Sequence, residues 1–201
     1  MAVLTVDARA DRRRAELAES ALQTLSELGY ARTSVRDIAQ KSEYSHGVLH
    51  YYFKDKAELI AEAVRLYKTQ CAQRYDGVIA ASTTAEELLD GFCLKLVESL
   101  VEDANYHRLW YDFRVQGMYV EGYQDAVLQI DALLEDMIWR VVSRYAELAG
   151  REVGLPSVVI YGCLDGVFQK SLLDYLAGRE GIGEALAATA RGALPLFLAP
   201  A

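Results

Sequence analysis

GYARTSVRDIAQKSEYSHGVLHYYFKDKAEL, residues 29–59, holds two short helical patterns separated by a few polar residues, and the reading of the chain grows outward from it. Thr33 and Ser34 are good N-cap residues before Val35, Ile38 and Ala39, and Asp37 suits the positive end of a helix. That helix fades near Ser42. A second begins around Ser45 and ends near Tyr52, and Lys54-Asp55 leads into a longer helix from Lys56. Two short helices joined by three or four residues, with a bracing helix before them, make the arrangement of a helix-turn-helix. The first must be small and apolar on one side, which Val35, Ile38 and Ala39 provide. The second must present small or polar groups at its start to base edges and phosphates, as Ser45, His46, Gly47 and Val48 would. Aromatic and basic groups at its far end should anchor it to backbone phosphates, and His50, Tyr51, Lys54 and Lys56 fit that demand.

Upstream, residues 1–8 read as a loose arm. From Arg9 to Leu28 apolar residues fall at Ala15, Ala18, Ala21, Leu22, Leu25 and Leu28, the spacing of an amphipathic helix, and Gly29 supplies its stop. Downstream, a helix is expected from Lys56 to Ala80. Thr83 and Thr84, with Glu86 and Glu87 three residues on, form overlapping capping boxes for another, reaching Glu102. Further helices are expected at Asn105–Gly117 and Gly122–Ala149, the latter closed by Gly150. Another follows from Pro156 to Ala177, before Gly178. The last spans Gly183–Leu198, with Pro195 bending or ending it early. The total is about nine helices, and the fold class is all-α. Residues 9–55 are the expected helix-turn-helix domain and 56–201 a helical remainder.

Bulk properties agree with this division. The 201 residues are 52% hydrophobic and 25% charged, an ordinary globular balance. The net charge of −8 argues superficially against a nucleic-acid partner. Its distribution does not, because residues 1–56 carry nine Lys and Arg against eight Asp and Glu, while the remainder carries twelve against twenty-one. Cys71, Cys93 and Cys163 are odd in number and widely spaced, which predicts neither a disulfide framework nor a zinc cluster and suits a cytoplasmic setting. No signal-like segment and no run of eighteen apolar residues is present, so neither export nor membrane spanning is expected.

Enzymatic readings fail on their required partners. His46 and His50 stand four apart, the spacing that lets two imidazoles share a metal, but Gly47 occupies the position where a zinc protease needs Glu. Glu43-x-x-His46 has the spacing of di-iron bundles in one copy where two are required. No Gly-rich phosphate loop or nucleophile elbow appears. Neither an enzyme, nor a metal site, nor a cofactor is expected. A helical interaction module without DNA binding is the competing reading, supported by the acidic body and by the unusual turn residues Ser42-Glu43-Tyr44.

Residues 29–59 resemble the N-terminal signature of the tetracycline-repressor (TetR) family of bacterial regulators. The resemblance rests on Gly29-Tyr30, Thr33-Ser34-Val35, Ile38-Ala39, Ser45, Gly47, Leu49, Tyr51, Phe53, Lys54, Lys56 and Leu59. It implies a ligand-responsive transcriptional regulator, homodimeric, usually a repressor that releases double-stranded operator DNA when its effector binds, with activation or ligand-assisted binding as the alternative. The aromatic residues of the body make a small apolar or aromatic effector the expectation. It also implies that Thr33 and Ser34 cap the second helix and hold phosphate. Ser45, Gly47 and Tyr51 would contact phosphates and the floor of the major groove, and Lys56 another phosphate. Ser42-Glu43-Tyr44 departs from the common Ala-Gly-Val, and a Glu at a turn position that usually needs positive φ implies strain of about 1 kcal/mol or a different turn. His46 and His50 also depart from the pattern, which bears on the operator sequence.

A reader of this type must dimerise through something C-terminal, because two recognition helices enter grooves about 34–36 Å apart. Gly162, Asp165 and Gly166 offer close helix approach, and Leu186, Leu194 and Phe197 offer apolar area in the last helix; packing within one chain is the alternative for both sets. Residues 105–123 are unusually aromatic. Trp110, Phe113, Arg114, Trp139, Tyr161 and Phe168 are the candidate effector-pocket residues, with plain core as the alternative and an anionic or carbonyl-bearing ligand suggested by Arg114.

Overall fold

A computed structural model describes residues 6–29, 33–41 and 43–200. Among them the chain forms α1 (Val6–Leu28), α2 (Val35–Lys41), α3 (His46–Tyr52), α4 (Lys56–Ala81), α5 (Ala85–Glu102), α6 (Ala104–Gln116), α7 (Glu121–Leu148), α8 (Ser157–Leu176) and α9 (Ile182–Ala193), followed by a 3₁₀ turn, Leu194–Phe197. The expected all-α class holds. The arm expected over residues 1–8 is helical from Val6 onward, and residues 1–5 lie outside the described residues. Pro195 ends the last α-helix early: α9 stops at Ala193 and the chain tightens into the 3₁₀ turn, where a proline near the start loses no hydrogen bond.

The chain divides into two compact units. The first comprises residues 1–68 and 108–128, the second residues 69–107 and 129–201. This differs from a cut at residue 55, because the second half of α6 and the start of α7 cluster with the three N-terminal helices. In the first unit Leu17, Ala18, Ala21 and Leu25 of α1 are buried with Ile38 of α2, Leu49 of α3, Phe53, and Leu59 and Ile60 of α4. α1 ends at Gly29, whose φ of 79° is left-handed and whose N–H donates to the Leu25 carbonyl at 2.8 Å, so glycine there closes the helix without strain. Arg108 of α6 donates to the Ser26 carbonyl at 2.9 Å, and Phe113 packs edge-on against Tyr123 with centroids 4.9 Å apart.

In the second unit α5, α8 and α9 pack on one another, burying Leu88, Phe92 and Leu100 with Ile160, Leu164 and Leu172, and with Leu186, Ala190 and Leu194. Thr84 opens α5 with the expected capping box: its side chain accepts from the Glu87 N–H while the Glu87 carboxylate reaches back to the cap. The C-terminal segment is tied back to residues 152–154, since Gly154 N–H donates to Phe197 O and Ala199 N–H to Glu152 O. A Cβ on Gly154 would stand 2.8 Å from the Ala199 backbone nitrogen, so only glycine admits that approach.

Three expected interface residues are corrected here. Leu186, Leu194 and Phe197 are buried inside the chain: Leu186 lies on α9, which packs on α5 and α8, and Leu194 and Phe197 lie in the 3₁₀ turn that follows it. Apart from Glu184, what α9 leaves exposed is small: Ala185, Ala188, Thr189 and Gly192.

Candidate nucleic-acid interface

The reading head is built by caps and one arginine. Ser34 and Asp37 cap α2 reciprocally: Ser34 N–H and Oγ–H donate to the Asp37 carboxylate at 2.8 and 2.6 Å, and Asp37 N–H donates back to Ser34 Oγ at 3.2 Å. The Ser34 hydroxyl and N–H hold the Asp37 carboxyl below its ordinary pKa. Ser45 caps α3 from an extended conformation (φ −72°, ψ 153°), accepting from Val48 N–H at 3.3 Å. At the far end Phe53 N–H donates to Leu49 O at 2.9 Å. α3 is thus closed at both ends, which a seven-residue helix needs because it cannot sustain itself in isolation.

Arg14, on α1, was not singled out by sequence reasoning, yet it joins three elements. Its guanidinium donates to the Tyr52 carbonyl at 2.7 Å and to Glu58 at 2.6 Å, and lies over the Phe53 ring at 4.5 Å. It therefore fixes the end of α3 against the start of α4. Together with the Lys54 backbone N–H, it holds the Glu58 carboxyl below the usual range. Its signal in the sequence is faint: one arginine among three in a row, on the helix edge facing the core.

The unusual turn has a structural answer. No described residue other than glycine takes a positive φ, so Glu43 and Tyr44 form a turn without a left-handed residue; Ser42 lies outside the described residues. Tyr44 is held from α1, with the Arg13 guanidinium 4.5 Å from its ring centroid and also facing Glu16 at 2.9 Å.

The expected contact residues divide. Ser45, His46, Gly47, His50, Tyr51 and Lys54 are exposed, Val48 is half-buried, and all lie on α3 or at its ends. Tyr51 is 83% exposed, which no core role explains. Ser34 is exposed at the start of α2. Thr33 is a correction: it is only 3% exposed and its hydroxyl donates to the Gly29 carbonyl at 2.7 Å, which ties its side chain to the end of α1. Lys56 is half-buried; burial lowers its pKa against the opposing pull of Asp112 and Asp37. Tyr30 falls outside the described residues. Arg9, Arg12 and Arg13 of α1, with Glu16 beside them, join Tyr51 and Tyr52 around an open groove of about 460 Å³, a net cationic concavity with an aromatic wall that sequence reasoning did not single out.

The candidate effector residues fall in both units. In the first, Trp110 and Phe113 are buried, and half-buried Arg114 has its guanidinium 6.0 Å from the Trp110 ring centroid. Trp110 Nε1–H is buried with no hydrogen-bond partner among the described residues, and the buried Lys68 ammonium lies 5.6 Å from the same ring. In the second unit Tyr161 donates to Asp131 at 2.6 Å and Phe168 packs edge-on to His107, centroids 4.7 Å apart. Trp139 is 37% exposed and lines an open groove with Glu135, Asp136 and Ser157. Of the expected interface residues on α8, Gly162 and Gly166 are exposed and a Cβ on either would meet nothing of this chain, while Asp165 is half-buried.

Residues 17–63 match the model of the tetR family of bacterial regulatory proteins. The HTH-type transcriptional repressor KstR2 of Mycobacterium tuberculosis is 26% identical over 175 residues, covering 71% of this chain and 87% of the repressor. The fold is shared with a TetR transcription regulator from Haloarcula marismortui, at a TM-score of 0.75 and 19% identity over 94% of this chain and 100% of that one. It is shared also with the regulator FadR of Bacillus subtilis in complex with stearoyl-CoA, at 0.69 and 16% identity over 89% of this chain and 96% of that one.

Proposed function

The chain belongs to the TetR family of bacterial transcriptional regulators, and on that premise we propose that it acts as a repressor that grips operator DNA through α3 and lets go when a small effector binds. The observation that carries the DNA side is the exposure of Ser45, His46, Gly47, His50 and Tyr51 on a helix whose other face, through Leu49, is buried. Small groups at the start of α3 let its backbone approach base edges, and Tyr51 with the α1 arginines supplies phosphate contacts at the other end. Such a protein works by binding, not catalysis.

For the effector we propose an apolar or aromatic molecule with a hydrogen-bond acceptor or anionic group, held in the first unit by Trp110, Phe113 and Arg114. The partnerless Trp110 indole N–H supports this, because an unmet buried donor costs about 1–3 kcal/mol that a ligand acceptor would recover. That FadR binds stearoyl-CoA, apolar at one end and anionic at the other, is in keeping. Coupling to the head has a physical route: Trp110 sits two residues after Arg108, which is bonded to the last turn of α1. A typical coupling of about 1–3 kcal/mol would change operator affinity roughly 5- to 150-fold.

For assembly we propose a homodimer through the exposed small residues of α8 and α9, Gly162 and Gly166 among them. The whole reading is tested by fluorescence anisotropy with DNA from upstream of the protein's own gene across a salt series. Affinity should fall steeply as salt rises, and Tyr51→Ala should weaken binding to all sequences alike. A chain that binds no duplex at low salt, or binds with no salt dependence, contradicts it.

A further inference from the structure

We propose that His46 and His50 form a two-imidazole site for a divalent ion of the zinc class on the reading face of α3, and that a loaded site and operator DNA exclude each other. The exclusion rests on the DNA-reading role of α3; the site itself does not. The two residues are one helical turn apart, so their side chains lie one above the other. Their Nε2 atoms are 3.2 Å apart, with ring centroids 4.3 Å apart and planes at 66°. An ion about 2.0–2.1 Å from each nitrogen would then see them at an angle of about 100°, close to the tetrahedral value zinc prefers.

The rings are therefore pre-set as a chelate without any backbone change. In the neutral pair one Nε2 donates to the other; on metal binding that proton moves to Nδ1 of the same ring, and both Nε2 lone pairs face the ion. Capping at both ends of α3 holds the two Cβ atoms in register. Both side chains are exposed, so the ion has an entry path and water completes its shell. Among the described residues Cys71, Asp103 and His107 are the one group of three ligand-bearing side chains close enough to share an ion. There Asp103 is already engaged by Arg74, and His107 Nε2 by Ser99 at 2.8 Å, which makes that group a packed polar network. Imidazole donors favour zinc, copper and nickel over magnesium or calcium.

Exclusion follows from position. The Nε2 atoms that would ligate the ion are the atoms that would meet bases or phosphates. A hydrated ion on this face also holds the helix away from the groove by more than a hydrogen-bond length.

Equilibrium dialysis of the full chain against Zn²⁺, with Mg²⁺ as control, tests the site without DNA. The double variant His46→Gln/His50→Gln should bind one zinc fewer per chain, and each single variant should bind zinc at least about tenfold more weakly, as the chelate is lost. Helicity and melting temperature should not change, because both side chains are exposed. Unchanged zinc stoichiometry in the double variant overturns the site. In anisotropy with the upstream DNA, zinc should weaken binding of the wild type and EDTA restore it, while the double variant should give one affinity in both buffers. A zinc-binding wild type whose DNA affinity ignores zinc overturns the exclusion. Failure of the wild type to bind DNA even in EDTA strikes the DNA-reading role and the exclusion with it, while the dialysis still decides the site.

Discussion

Leu49→Ala should cost about 2–5 kcal/mol of stability and abolish operator binding. Leu49 is the residue through which α3 holds to the head: it is 1% exposed, on a helix that packs against α2, where Ile38 is buried as well. Seven residues of helix have no independent stability, so losing this anchor removes most of the reason α3 forms. The loss should be local. Residues 69–107 and 129–201 have their own core of Phe92, Leu100, Ile160 and Leu186, and their unfolding should be little changed. Calorimetry is expected to show an early transition for the head, separated from a nearly unshifted main one. A variant that melts as the wild type does and still binds the upstream DNA would mean that α3 is not held as described.

The second large effect concerns assembly. Gly162→Leu should convert the proposed dimer to a monomer without harming the subunit. Within the chain the new side chain meets open space, and glycine to leucine in a helix interior is itself favourable by close to 1 kcal/mol. Against a closely apposed partner helix the same side chain has no room. Two half-sites are then no longer held in one event, and affinity for a two-fold operator should fall about 10²- to 10⁴-fold. Sedimentation velocity reads the first effect and anisotropy the second. A Gly162→Leu protein that remains dimeric would place the interface elsewhere than on this stretch of α8.

These expectations draw unequally on sequence and structure. The head was legible because its signals are local: Ser34 and Asp37, Ser45 before His46, and Gly29 after Leu28 act over one turn of backbone, and the helices begin and end where those residues stand. The same is true of the Thr84 capping box and of Pro195. Arg14 and the Arg13–Tyr44 pair were not legible, because each joins residues more than thirty positions apart and a lone arginine carries no mark of its partner. The body failed differently. Periodicity marks Leu186, Leu194 and Phe197 as apolar, but it cannot say whether the surface they meet belongs to the same chain or another, and here it is the same chain. Thr33 illustrates the limit at one residue: a threonine before a helix is equally fit to face phosphate or, as found, to close onto the carbonyl four residues back.

Amide hydrogen exchange of the whole chain, with and without a saturating duplex from upstream of its own gene, tests the central claim most directly. The account predicts that DNA slows exchange at the exposed start of α2 and across residues 45–54, where Ser45 through Lys54 would be covered. The exposed face of α8 at Gly162 and Gly166 should be unaffected. Protection confined to α8 and α9, or no protection across residues 45–54 under conditions where the duplex is bound, would contradict it.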